Sequence, residues 1–379
     1  MQIAIFDYLV KPTNAIGNCD RHLVAGLCDE HDFTVFAVEF DNPRPDRIEF
    51  VRIPVIRRPL FAVFVSYHIV APILLWIYKR QSGKKFDIVQ SIESNSLMGT
   101  LVYSHFCHTA YLTHHWQENK AGGIRGIARW IDYKFHSLLE PIVYRKAKAV
   151  VTPSQGLSNE LKREMSPIVQ DKVTVIPNPV DLEKMQQPGD FDKSLERQKW
   201  SLEDDDFALI FVALGDFERK GLPLLLDAIT QIQSPKLKLL IVGGNESTLT
   251  DYRQQVRAKG IEANVIFTGM QTDVRPFLWM ADLFVFPSAY ETFSMVAYEA
   301  AAAGLPLLVS PLYGVEDILK DGINGWCIER SASAYAKKLQ TCLNEPDQLK
   351  PMGENARQSA RRCDARHFVE HWRQYYETL

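Results

Sequence analysis

Arg219 and Lys220 are adjacent cations in the stretch Gly215–Asp216–Phe217–Glu218–Arg219–Lys220–Gly221. Arginine offers a planar fork of donors and lysine a mobile point charge, so the two together suit a diphosphate; a solvated basic turn would have the same composition. Gly221 eases the chain into the element that follows. Farther on, Glu291 and Glu299 stand with seven residues between them. Glu291 falls in Pro287–Ser288–Ala289–Tyr290–Glu291–Thr292–Phe293–Ser294, ahead of a predicted helix over Met295–Ala303, and Glu299 sits about one turn inside that helix. The free amides of the helix start, over Thr292, Phe293, Ser294, Met295 and Val296, would face an anion such as phosphate. The two carboxylates could accept hydrogen bonds from sugar hydroxyls on either side. The plainer alternative makes Glu291 a partner of the helix dipole and Glu299 one half of a surface ion pair.

Three further places carry weaker signals. Gly17, in the turn-rich stretch Lys11–Asp20, could bring backbone amides close to a phosphate, or be an ordinary turn glycine. His105 and His108 follow the apolar run Leu101–Tyr103 and are candidates for touching a sugar or an oxyanion, although a lone histidine is more often structural. Asp204–Asp205–Asp206 contains an Asp-x-Asp of the kind that holds a divalent metal elsewhere, but it precedes a strand rather than following one, and reads as a solvated loop. Cys19, Cys28, Cys107, Cys327, Cys342 and Cys363 form no CxxC pair and no zinc spacing, so no metal site is expected. Scattered cysteines of this kind suit a reducing compartment.

These residues need a scaffold, and the chain supplies one by alternating strands with helices. Apolar runs predict strands at Gln2–Phe6, Phe33–Phe40, Asp87–Ser91, Leu101–Tyr103, Ala149–Thr152 and Val173–Ile176, with a helix over Arg21–His31. After a break at Pro177–Asn178–Pro179, a second series follows: strands at Phe207–Val212, Leu237–Val242, Val265–Phe267, Leu283–Phe286 and Leu305–Ser310, with a helix over Leu222–Gln233. The reading is α/β: two doubly wound, Rossmann-like domains of parallel sheet. At 379 residues the chain exceeds what one core normally serves. The expected division is 1–177, 178–364, and a C-terminal helix over 365–379 packing back on the first domain. Ligands bind outside the carboxyl ends of such strands, where Lys220 and Glu291 would lie.

A net charge of −3 is too mild for a nucleic-acid binder. Residues 1–180, however, carry 21 Lys/Arg against 17 Asp/Glu, and the remainder 22 against 29, so the first half could meet something anionic. Residues 59–78 are apolar and long enough to span a bilayer, but include Ser66, His68 and Pro72. No acidic residue lies between Glu49 and Asp87, whereas Arg52, Arg57, Arg58, Lys79, Arg80, Lys84 and Lys85 do. The segment could span, lie on an anionic membrane surface, or be a buried helix with a basic end. Surface attachment through residues 52–85 would be helped by Tyr111, Trp116, Lys120, Arg125, Arg129 and Trp130. No leader-like pattern opens the sequence. The expected location is cytoplasmic, with peripheral attachment to the inner face of the membrane as the alternative.

The motifs together resemble family GT4 of retaining glycosyltransferases. Glu291 and Glu299 look like that family's E-x7-E pair, in the setting Pro287–Phe293 and Glu299–Pro306. Arg219–Lys220–Gly221 looks like its phosphate-binding loop, Ile176–Asp181 like the entry to its second domain, and Gly314–Gly325 also fits. Within the family, residues 216–221 lean towards the lipopolysaccharide-core glucosyltransferases. The resemblance implies the GT-B fold, two Rossmann-like domains facing a central cleft. It also implies metal-independent transfer of a hexose, with retention, from a UDP-sugar or GDP-sugar to a saccharide or lipid-linked acceptor, in glycan, lipopolysaccharide or glycolipid synthesis. No cofactor beyond the donor is implied. Arg219 and Lys220 would hold the diphosphate with Gly215 in their loop, Glu299 the ribose, and Glu291 the transferred sugar. Met270 would lie beside the base, Gly17 would serve the diphosphate, and His108 or His105 would touch the sugar. The family's paired glycines in the first loop are Gly17–Asn18 here, and its glycine after Phe293 is Ser294. A GT-B nucleotide-sugar epimerase and a non-catalytic nucleotide-sugar-binding protein remain alternatives. A dehydrogenase lacks support, because no GxGxxG follows the first strand.

Overall fold

The computed structural model describes every residue except Pro59, Lys120, Ala121 and Gly122, and the backbone alone of Leu60, Phe61, Glu118, Asn119, Ile124 and Arg125. The chain forms two units, Met1–Pro179 with Ala365–Leu379, and Val180–Asp364. The first is built on β1 (Gln2–Val10), β2 (Asp32–Phe40), β3 (Glu49–Arg52), β4 (Ile88–Ile92), β5 (Leu101–Tyr103), β6 (Ala149–Thr152) and β7 (Val173–Val175). These strands pair in the order β3-β2-β1-β4-β5-β6-β7, all parallel. The second holds β8 (Phe207–Val212), β9 (Leu237–Val242), β10 (Val265–Gly269), β11 (Leu283–Phe286), β12 (Leu307–Val309) and β13 (Gly325–Cys327), ordered β10-β9-β8-β11-β12-β13. Each sheet is the doubly wound arrangement of the GT-B fold. The strand order reverses beside its first strand, between β1 and β4 and between β8 and β11.

The physical cause is legible in the strands. All six residues of β8 are buried, as expected of a strand covered by helices on both faces. Its core gathers Leu209, Phe211, Ile241, Phe284 and Leu308, with helix residues such as Leu226 and Tyr298 packed against them.

Several elements depart from the sequence reading. The first helix begins at Ala15, not Arg21, because Asn14 caps it by accepting from the Gly17 amide at 2.8 Å. β1 therefore runs on to Val10, and little of Lys11–Asp20 is loop. The short edge strand β3 and the terminal strand β13 were not anticipated. The final helix, Ala365–Glu377, belongs to the first unit, where Trp372 is fully buried and Tyr376 donates to Gln90 at 2.8 Å.

The apolar segment near residue 60 is a single helix, Leu60–Ser82, containing Pro72. Phe64, Tyr67, Ala71 and Leu75, spaced at three and four residues, pack into the first unit's core. The Tyr67 hydroxyl donates to the backbone carbonyls of Asp7 and Phe36. One face thus holds the helix to the sheet, which argues against the spanning alternative. Lys120, expected to help surface attachment, lies outside the described residues, as does the Arg125 side chain.

Candidate active site

The two motif loops of the second unit follow β8 and β11, the strands on either side of its reversal point. The first loop turns sharply. Asp216 adopts a left-handed conformation (φ 58°), a single helical turn covers Phe217–Lys220, and Gly221 is left-handed again (φ 83°). A Cβ on Gly221 would lie 2.1 Å from the Pro287 carbonyl oxygen. Glycine is therefore required twice over, by its backbone conformation and by the neighbouring loop. The Ala289 amide donates to the Arg219 carbonyl at 2.8 Å, fastening the two loops together.

This fastening gathers the charges. Lys220 Nζ bonds Glu291 Oε1 and lies 5.1 Å from the centre of the Phe286 ring. Arg219 bonds Asp216 Oδ2 at 2.9 Å, the Tyr290 carbonyl, and Glu291 Oε1 at 3.3 Å. Ser288 Oγ donates to the same Glu291 oxygen at 2.9 Å. Burial pushes the Glu291 carboxyl upward, but Lys220 and Arg219 outweigh it and hold it below the usual range, so it stays ionised. Burial pushes the Lys220 ammonium down, Glu291 pulls it back, and Arg219 adds a further push down. An arriving diphosphate would favour both cations.

Beyond this loop the helix Met295–Ala302 starts without a side-chain cap, because Ser294 is left-handed (φ 62°) and its buried hydroxyl makes no hydrogen bond among the described residues. The sequence position that is commonly glycine in the resembling family is thus one where glycine fits the backbone. Ser294→Gly should stabilise the second unit by about 1 kcal/mol with turnover unchanged, read from urea midpoints and initial rates; a loss of stability would contradict the strain.

The Glu299 carboxyl, in the same helix, has no hydrogen-bond or ion-pair partner among the described residues, so the surface ion pair is not found. Burial raises its carboxyl from 4.5 to about 7. The folded chain then holds that proton more tightly than the unfolded chain. Stability present at low pH is lost as pH rises from 4.5 through about 7. Without nucleotide, Glu299→Gln should gain ~1–2 kcal/mol over wild type near pH 8 and almost nothing near pH 4. An equal gain at both pH values would contradict this account.

Met270 follows Gly269 at the end of β10 and is 56% exposed, and Gly215 has open space where a side chain would stand. Gly243–Gly244, at the end of β9, were missed from sequence. A Cβ on Gly243 would lie 2.1 Å from the Ala213 carbonyl oxygen, so these residues keep the strand ends close. A glycine pair directly after an apolar strand was the available signal. At the strands' other end, a groove of about 1610 Å³ includes Lys193, Arg197, Asp282, Glu354 and Arg357. These five charges already pair with one another. Asp204–Asp205–Asp206 belongs there: Arg197 binds the carbonyls of Asp204 and Asp206, and Asp205 pairs with Lys236.

The first unit holds Gly17, His105 and His108. Gly17 sits inside the first helical turn with its amide already held by Asn14, and a Cβ there would lie 1.8 Å from the Leu9 carbonyl oxygen. Glycine is required here by the close approach of the Leu9 carbonyl. His105 lies in the same unit. It is buried against Tyr103, its Nε2 meets Asn178 Oδ1 at 3.2 Å, and burial pushes it down to about 3. His108 is held at Nδ1 by Glu140 Oε1 at 3.0 Å and stacks on His136 at 4.3 Å. Burial pushes His108 down, but Glu140 and Glu93 outweigh it and raise it. Two buried carboxyls close by were missed. Asp7, in β1, and Glu93, just past β4 in a left-handed conformation (φ 46°), are each raised by burial to about 7. Asp7 was visible as an acid ending the apolar run Ile3–Phe6; Glu93 carried no pattern of its own.

The comparisons with known proteins agree with this architecture. The family model described as "Glycosyl transferases group 1" matches residues 192–359. The model described as "Glycosyltransferase Family 4" matches residues 20–184. The chain is 25% identical over 367 residues to the uncharacterized glycosyltransferase MJ1607 of Methanocaldococcus jannaschii, covering 91% of this chain and 90% of that protein. It is 29% identical over 211 residues to a lipopolysaccharide 1,2-N-acetylglucosaminetransferase of Salmonella typhimurium, covering 52% and 53% of the two chains. Among solved structures, Anabaena Alr3699/HepE in complex with UDP matches with a TM-score of 0.75 at 18% identity, over 100% of both chains. WaaG, a glycosyltransferase involved in lipopolysaccharide biosynthesis, matches with 0.75 at 18% identity over 98% of both. At such identities the structures speak to fold alone.

Proposed function

We propose, from the premise that this chain is a GT-B glycosyltransferase of family 4, that it moves a hexose from a UDP-sugar to a saccharide or lipid-linked acceptor with retention and without a metal ion. The observation that carries the reading is the convergence of Lys220 and Arg219 with Glu291, at the reversal point of the second sheet and beside an uncapped helix start. There the two cations and the amides of Met295 and Val296 would bind the diphosphate and take up the charge that grows as it departs. In the transfer, the bond from C1 of the sugar to the diphosphate oxygen breaks and its electrons leave with UDP. The acceptor oxygen bonds C1 from the same face, and its proton passes to the departing phosphate. Glu291 would accept from hydroxyls of the transferred sugar, and Glu299, once ionised, from the ribose.

Uridine is favoured because HepE, a neighbour in fold, was solved with UDP. A saccharide or lipid-linked acceptor is favoured by the lipopolysaccharide enzymes among the relatives. The test is product analysis with UDP-glucose and a lipopolysaccharide-core acceptor, reading the new linkage by proton NMR. An α-linked product from the α-linked donor is expected. A β-linked product, or an epimerised donor formed without acceptor, would overturn the reading.

A further inference from the structure

The helix Leu60–Ser82 buries one face and leaves another bare. Ile69, Ile73 and Trp76 are exposed at spacings of four and three residues, with Trp76 at 61%. A second bare stripe runs along the helix Gly123–Lys146, where Ile127 (63% exposed), Ile131, Leu138 and Ile142 again recur at helical spacing. The two helices are neighbours in the first unit, with the Phe64 ring 6.2 Å from that of Phe135 and 4.5 Å from that of His136. Apolar residues scattered singly over a surface mean little, but two stripes on adjacent helices do not arise from that scatter.

The charges around these stripes have one sign. The first helix carries no carboxylate. On the second, Glu140 is fully buried and Asp132 is half-buried. Lys79 and Arg80 at the end of the first helix, and Lys134, Arg145 and Lys146 on the second, are exposed, and none has a carboxylate partner among the described residues. Arg80 lies over the Trp76 ring at 5.6 Å, so cation and aromatic are presented together. A protein partner would need its own acidic groups set opposite each cation. A bilayer with anionic headgroups meets the apolar stripes and the cations at once, with no fixed register.

We infer that this pair of helices is a docking surface for an anionic lipid bilayer, lying on the membrane rather than crossing it, because Tyr67 and its neighbours hold the first helix to the sheet. The inference stands apart from the nucleotide site and would survive a wrong donor assignment.

The experiment is flotation of the full chain with vesicles of phosphatidylcholine alone, or with phosphatidylglycerol as about one lipid in three. Wild type should float with the mixed vesicles and not with the neutral ones, and high salt should release most of it. The double variant Ile73→Ser, Trp76→Ser and the separate variant Lys79→Glu, Arg80→Glu should each bind at least tenfold more weakly. All four positions are exposed, so folding should be kept, and circular dichroism checks it. Leu138→Ser reports on the second helix independently. Failure to float with mixed vesicles at low salt, equal flotation with neutral ones, or unchanged binding in all three variants would overturn the inference. So would a wild-type dimer in sedimentation that becomes monomeric in the serine variants, because the stripes would then face a second copy.

Discussion

Lys220→Ala should lower kcat about 10²–10³-fold, the loss usual when one preorganised group facing a departing anion is removed. The size follows from where Lys220 sits. It is largely buried, it touches Glu291, and it stands beside a helix start with no side-chain cap. Arg219 cannot replace it, because its guanidinium is already bonded to Asp216, the Tyr290 carbonyl and Glu291, and so holds the two loops in place. Folding should be largely kept, since Glu291 retains Arg219 and Ser288 as partners. The check is kcat at saturating donor and acceptor, with circular dichroism to confirm the fold. Near-normal turnover in a folded Lys220→Ala protein would remove the residue from the reaction.

The largest effect on stability should come from Gly221→Ala. The left-handed backbone costs about 1–2 kcal/mol for any residue with a Cβ. The new atom would also lie 2.1 Å from one backbone oxygen of Pro287 and 2.7 Å from its carbonyl carbon, so the neighbouring loop must move. Together these should destabilise the second unit by more than ~3 kcal/mol. Turnover should fall as well, because the bond from Ala289 to the Arg219 carbonyl spans the same junction. Gly260→Ala is the control. Its φ is 68° but nothing lies near its would-be Cβ, so only the backbone cost of about 1 kcal/mol remains. Equal unfolding midpoints for the two variants would show that the contact with Pro287 is not tight.

The sheets were legible in the sequence where burial is continuous. β5, β8 and β11 are unbroken apolar runs, β6 and β9 depart from one only at Thr152 and Lys238, and the limits of all five could be read directly. β3, Glu49–Arg52, is an edge strand with mostly exposed side chains, so it has no apolar run to announce it. The start of the first helix depended on Asn14 and on how closely Gly17 can pass Leu9, which spacing alone does not carry. The chemistry shows the same division. Lys220 and Glu291 each stood out by type, but their contact joins residues 71 apart and follows from the strand order. Asp7 and Glu93 left less trace, because a single acid within a strand or just past one becomes notable only once its burial is known. The inward turn of His105 onto Asn178 was likewise not legible, because the two residues are 73 apart in the chain.

The central claim is that Lys220 and its neighbours bind a nucleoside diphosphate without help from a metal. The most direct measurement is the melting temperature of the full chain titrated with UDP in excess EDTA, for wild type and Lys220→Ala. The wild-type melting temperature should rise steadily with UDP, reflecting about 2.7 kcal/mol of added stability at a concentration 100-fold above Kd. Lys220→Ala should need at least tenfold more UDP for the same rise. No rise with UDP, GDP or ADP, or identical titrations of the two proteins, would contradict the account.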